Sequence, residues 1–125
     1  MDISSWILFD SGAAASCCPL HSAPEYPLSP LSGSSSVPLR SVTGQTLQVY
    51  GRKLVHMNFG GVCMGVHFYV CDVPYPLVSV ARMIQQGCNV TLGSVENTLF
   101  SPGGDPIKIL RHGSLLYLTP TVRSF

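Results

Sequence analysis

The sequence predicts an all-β fold with one short helix, and three features lead there. Ten prolines and twelve glycines cut the 125 residues into short segments bounded by turns. Through the middle of the chain apolar residues alternate with polar ones, the period of a strand with one face turned inward. Only one window, "LVSVARMIQQG", spaces its apolar residues as a helix does and then stops at a glycine.

Taken in order, residues 7–9 form a short apolar strand that ends in Asp10. Residues 19–38 are dense in Pro and Ser, lack periodicity, and read as a long surface loop. Thr43-Gly44 offers a tight turn between strands at 37–42 and 45–50. Val55, Met57 and Phe59 alternate with Leu54, His56 and Asn58. Val66, Phe68 and Val70 alternate with His67, Tyr69 and Cys71. Gly60-Gly61 between the two runs makes them a hairpin. Pro74 and Pro76 end the second strand. The helix follows at 79–86, with Val80, Met83 and Ile84 on one face and Gly87 as its stop. Residues 89–93 are a further strand, "NTLFSPGGDPIKIL" is two strands about a Pro-Gly-Gly turn, and "SLLYLT" is the last.

The chain is 46% hydrophobic and only 10% charged, against about 25% charged in an average domain. Such a chain folds, and its low surface charge favours association with another copy. A net charge of +1 without a basic run leaves no electrostatic footprint for nucleic acid. No apolar run reaches membrane-spanning length, and the N-terminus does not read as a signal peptide. Five cysteines at irregular spacing argue for reduced, mostly buried thiols in a cytosol-like compartment rather than a disulfide framework.

The candidate chemistry lies in "WILFDSGAAASCC". A carboxylate at the end of an apolar strand is costly to bury unless hydrogen bonds satisfy it. The residues after Asp10 are suited to satisfying it. Ser11 carries a hydroxyl, Gly12 lets its amide turn back to the carboxylate, and the small Ala13–Ala15 side chains allow another segment to approach. Asp-Ser-Gly is also ordinary turn chemistry, so the tetrapeptide alone does not specify a function.

The order of the segments adds the context. "WILFDSGA", then "VPLRSVTGQTLQVYG", then "KLVHMNFGGVCMGVHFYVCD", then "YPLVSVARMIQQGCNVTLG" resembles the retropepsins, the retroviral-type aspartic proteases, and most closely the protease of copia-like retrotransposon polyproteins. "LVSVARM" and the late "GSLLYLT" belong to the same resemblance, which spans about residues 5–119. It implies a closed barrel of the acid-protease type forming half of a twofold dimer. The single domain, 1–125, would have its core at about 5–93 and a β extension at about 94–125, with the long loop at 19–37. It also implies an endopeptidase without cofactor or metal, cutting a peptide or polyprotein in the cytoplasm or within a retrotransposon particle. Asp10 would be catalytic, with Ser11, Gly12 and Ala13 bracing the active-site loop and the dimer. Val42, Thr43, Gly44 and Gln45 would form the flap over substrate, and Leu77 and Val78 a pocket wall. The family's glycine before the helix is absent here, where the chain reads Leu77-Val78-Ser79.

Aspartic protease chemistry needs two carboxylates that share a proton. None of the remaining acids, Asp2, Glu25, Asp72, Glu96 and Asp105, precedes a hydroxyl and a glycine, so the expected partner of Asp10 is Asp10 of a second copy. Three rivals compete. A zinc site could draw on Cys17, Cys18 and His21, or on Cys63, His67 and Cys71, though neither has a zinc-binding spacing. A serine hydrolase could use Ser11, but no Gly-x-Ser-x-Gly surrounds it and His21, His56, His67 and His112 form no pattern. The third is a retropepsin-like dimer that binds peptide without cutting it.

Overall fold

The computed structural model describes residues 6–30, 44 and 46–121. Its elements are β1 (Ile7–Asp10), β2 (Cys17–Cys18), β3 (Val49–Phe59), β4 (Val62–Cys71), β5 (Leu77–Ser79), α1 (Val80–Gln85), β6 (Asn89–Leu92), β7 (Asn97–Phe100), β8 (Pro106–Lys108), β9 (Leu110–His112) and β10 (Leu115–Leu118). Among the described residues the structure is mostly strand, with one short helix. The described strands do not close into the barrel that the resemblance implied. They form an open seven-stranded sheet, ordered β3-β4-β2-β5-β1-β10-β9, and a separate three-stranded sheet, β6-β7-β8. Closure fails because β6, β7 and β8 pair with one another rather than bridging the ends of the larger sheet.

The long hairpin follows from its sequence. Phe59 pairs with Val62 across Gly60 and Gly61, both at positive φ, the requirement of a two-residue turn whose twist matches the strands. Asn58 Oδ1 accepts the Gly61 amide at 2.7 Å. With the register set, Val55, Met57, Val66, Phe68 and Val70 all turn inward and are buried.

Helix α1 is six residues long, too short to stand on propensity alone, and its two ends hold it. Ser79 caps the start by accepting the Arg82 amide on its hydroxyl. At the other end Gly87 takes φ 101°, its amide donates to Ile84 O, and the Cys88 amide reaches back to Met83 O.

The core lies where the large sheet, α1 and the small sheet meet. Ile7, Phe9, Phe68 and Val78 from the first pack with Val80 and Met83 and with Leu99 and Ile107. Residues 94–121 are therefore built into the same core as the rest. β10 returns to pair with β1, with Ile7 opposite Leu118, and Trp6 meets His112 edge-on and Tyr117 at a tilt. Thr121 then ties the segment after β10 to the hairpin, its amide and hydroxyl both donating to Asn58 O.

The segment after Pro19 is better anchored than the expected surface loop. Lys53 sits on the inward phase of β3, and its buried ammonium donates to Ser22 O at 3.0 Å and Ala23 O at 3.1 Å. Tyr26 Oη donates to His56 O, and Ser29 exchanges backbone hydrogen bonds with Arg52. Residues 22–29 thus dock along the outer edge of β3, covering main-chain groups that an edge strand would otherwise expose.

Candidate active site

Asp10 is the last residue of β1 and is half-buried. β1 runs parallel to β5, with Leu8, Phe9 and Asp10 opposite Leu77, Val78 and Ser79. The Gly12 amide donates to Asp10 Oδ1 at 2.8 Å, so the backbone turns on the carboxylate as the residue order suggested. A Cβ on Gly12 would lie 3.4 Å from that same oxygen, an ordinary contact.

Two further anchors hold the loop from outside. Ser79 Oγ donates to Ala13 O at 2.7 Å, and the Ser79 amide donates to Ser16 Oγ at 2.9 Å. Ser16 O in turn accepts the Tyr69 amide of β4. The loop after Asp10 is therefore pinned to β5, to the start of α1 and to β4. Ser79 occupies the place where the resembling family carries glycine. Its side chain holds the loop and caps the helix at once, work a glycine could not do. Ser11 and Gly12 at the tip are exposed, and Ala13 is half-buried.

The remaining expected site residues divide. Leu77 is half-buried against Cys17 and Cys71. Val78, expected in a pocket wall, is instead wholly buried in the core, because strand alternation turns it inward beside Phe9. Of the expected flap, Val42, Thr43 and Gln45 lie outside the described residues. Gly44 is exposed with φ 85°, suited to a turn.

Asp72, the other acid at a strand end, accepts a hydrogen bond from Tyr50 Oη at 2.8 Å, which pushes the phenol above its ordinary pKa. It follows β4, which is separated from β1 by β2 and β5, about 14 Å at ordinary strand spacing. Asp105 sits in the turn between β7 and β8. Among the described residues Asp10 thus has no carboxylate in a matching setting.

The sites considered for rival chemistry do not assemble. Among the described residues no group of three His, Cys, Asp or Glu side chains lies together as metal ligands would. Cys63, His67 and Cys71 share a face of β4, but residues four apart on a strand are about 13 Å apart. Of the five thiols, only Cys63 is exposed. Cys17 is held above the ordinary thiol range by its hydrogen bond with Cys71 and by burial. Burial also pushes Cys18 up to about 11, although Lys53 works against it. The same hydrogen bond with Cys17 lowers Cys71, and the carboxylate of Asp10 stands at the head of an exposed loop held by hydrogen bonds.

No protein-family model matches the chain, and no curated protein matches it.

Proposed function

We propose that the protein is an aspartic endopeptidase of the retropepsin type that acts as a homodimer. One observation carries the reading. Asp10 ends a strand, its carboxylate is fixed by the Gly12 amide, and its loop is clamped by Ser79 and Ser16 while the Ser11-Gly12 tip stays exposed. A catalytic group must be held this firmly, because positional error at the reacting atoms is expensive in rate.

In the dimer two Asp10 carboxylates would face each other across a twofold axis, each Ser11 hydroxyl free to brace the opposite loop. Like charges this close cannot both ionise, so the pair would share one proton. One carboxylate takes a proton from a water between them as that water attacks the scissile carbonyl. The other donates its proton to the carbonyl oxygen, giving a tetrahedral hydrate. Substrate would lie extended and add main-chain hydrogen bonds as an extra strand.

The test compares the wild-type chain with Asp10→Asn on an apolar peptide library at about pH 5. Cleavage by the wild type alone, blocked by a statine-type analogue of the hydrate, is the expected result. Equal cleavage by both proteins would remove Asp10 from the chemistry.

A further inference from the structure

A cavity of about 160 Å³ lies on the far side of the loop anchors, lined by Ser16, Arg52, Val66, His67, Phe68, Tyr69, Arg82, Met83 and Gln86. Its origin is a gap in the sheet. β2 is two residues long and covers β4 only at Tyr69 and Val70. Tyr69 pairs with Arg52 of β3, yet the Tyr69 amide donates to Ser16 O and the Arg52 amide to Ser29 O. That pair is therefore of the non-hydrogen-bonded kind. The pair two residues along, His67 with Leu54, is of the same kind, since the register between them is unbroken. The main-chain N–H and C=O of His67 thus turn away from β3, toward the space beside β4 ahead of the start of β2. Arg82 and Met83 of α1 and its C-terminal cap Gln86 wall that space.

The charge around the cavity is one-sided. Arg52 comes from β3 and Arg82 from α1, and no carboxylate is among the described residues that line it. The Arg82 guanidinium donates to Gln85 Oε1, a neutral partner. Seven Lys and Arg residues serve the whole chain, so two of them at one small cavity is a concentration. Val66, Phe68 and Met83, all buried, complete the lining, both arginines are exposed, and a cleft lined by one sign of charge concentrates its field. The Gln86 amide, the His67 imidazole and the His67 main-chain N–H add donors. The volume is well below the roughly 300 Å³ at which pockets begin to take drug-sized molecules.

We propose that this cavity binds a single phosphate-sized oxyanion, held between Arg52 and Arg82 with the His67 amide as a third donor. Planar guanidinium forks match the oxygens of a tetrahedral dianion and make charge-assisted hydrogen bonds to it. The site is independent of the Asp10 chemistry and stands whether or not the chain cleaves peptides.

The test is a ¹H–¹⁵N NMR titration of the full chain with inorganic phosphate against sodium chloride at matched ionic strength. The expected result is a saturable shift of the His67 amide with phosphate alone. Removing each guanidinium, in Arg52→Gln and Arg82→Gln, should weaken binding about tenfold, and the double variant should abolish saturation. Lys108→Gln, which removes an exposed cation outside the cavity lining, should bind as the wild type does. Phenyl phosphate in a second arm separates the sources of the anion: saturation there points to a phosphomonoester, and its absence to free phosphate. All the replaced side chains are exposed, so amide dispersion serves as the check that each variant folds. Linear shifts indistinguishable from those of chloride, or equal affinity in the wild type and the folded double variant, would overturn the proposal.

Discussion

Replacing Ser79 with alanine removes one hydroxyl from two structures at once. The Ala13 carbonyl loses its donor at 2.7 Å, and α1 loses the cap on the Arg82 amide at 3.2 Å. Loss of an N-cap costs about 1 kcal/mol, and loss of a partly buried hydrogen bond about 1 kcal/mol more. Ser79 is wholly buried, so water cannot enter freely to replace the hydroxyl. The expected destabilisation is therefore about 2 kcal/mol, which at ordinary urea sensitivity moves the unfolding midpoint by about 1 M. The measurement is urea denaturation at fixed protein concentration, because a dimer's stability depends on concentration. Ser79→Gly is the informative companion. Glycine is a fair N-cap but adds chain entropy and still leaves Ala13 unpaired, so it should cost about 1–2 kcal/mol. A change below about 0.5 kcal/mol in both variants would refute the double role of Ser79.

Other outcomes follow from single features. In Gly51→Ala the new Cβ would stand 2.5 Å from Ser29 O, so the docked segment must shift; a loss of about 1–3 kcal/mol is expected in the same urea assay, and a neutral result would contradict the Ser29–Arg52 pairing. Lys53→Met keeps the apolar stem but leaves Ser22 O and Ala23 O without their donor, so limited proteolysis should cut sooner within residues 19–30; an unchanged cleavage pattern would count against the anchor. The Cys18 thiol, raised to about 11 by burial, ionises more readily when the chain unfolds. Stability should accordingly fall as the pH rises from about 9 toward 11, and Cys18→Ala should flatten that slope. Equal slopes in the two proteins would show that Cys18 does not contribute to it.

Much of this arrangement was legible because it is local. The hairpin needed only period-two alternation and Gly60-Gly61, and the helix needed the spacing of Val80, Met83 and Ile84 and a glycine stop, although Ile84 is exposed where Val80 and Met83 are buried. The turn on Asp10 could be read from a carboxylate, a hydroxyl and a glycine in succession. What escaped depends on distant pairing. β2 is two cysteines long, with no periodicity to find, and it exists because β4 and β5 flank it. The separate small sheet could not be told from a barrel wall, since "NTLFSPGGDPIKIL" fixes a hairpin but not its neighbours. The resemblance placed Val78 in a wall, and the three residues before the helix carry no alternation long enough to show that its phase is inward. One missed feature did leave a signal. Lys53 falls in phase with Val55, Met57 and Phe59, and a lysine on an inward face calls for buried acceptors such as those residues 22 and 23 supply.

The most direct test of the central claim mixes active and inactive chains. Wild type and Asp10→Asn are combined in equal amounts at a fixed total concentration, above that needed for association, and peptide cleavage is followed. If each active site needs Asp10 from two copies, only wild-type pairs cut, and activity falls to about one quarter of that of pure wild type. Activity of about one half would show that a single chain suffices and would contradict the shared site.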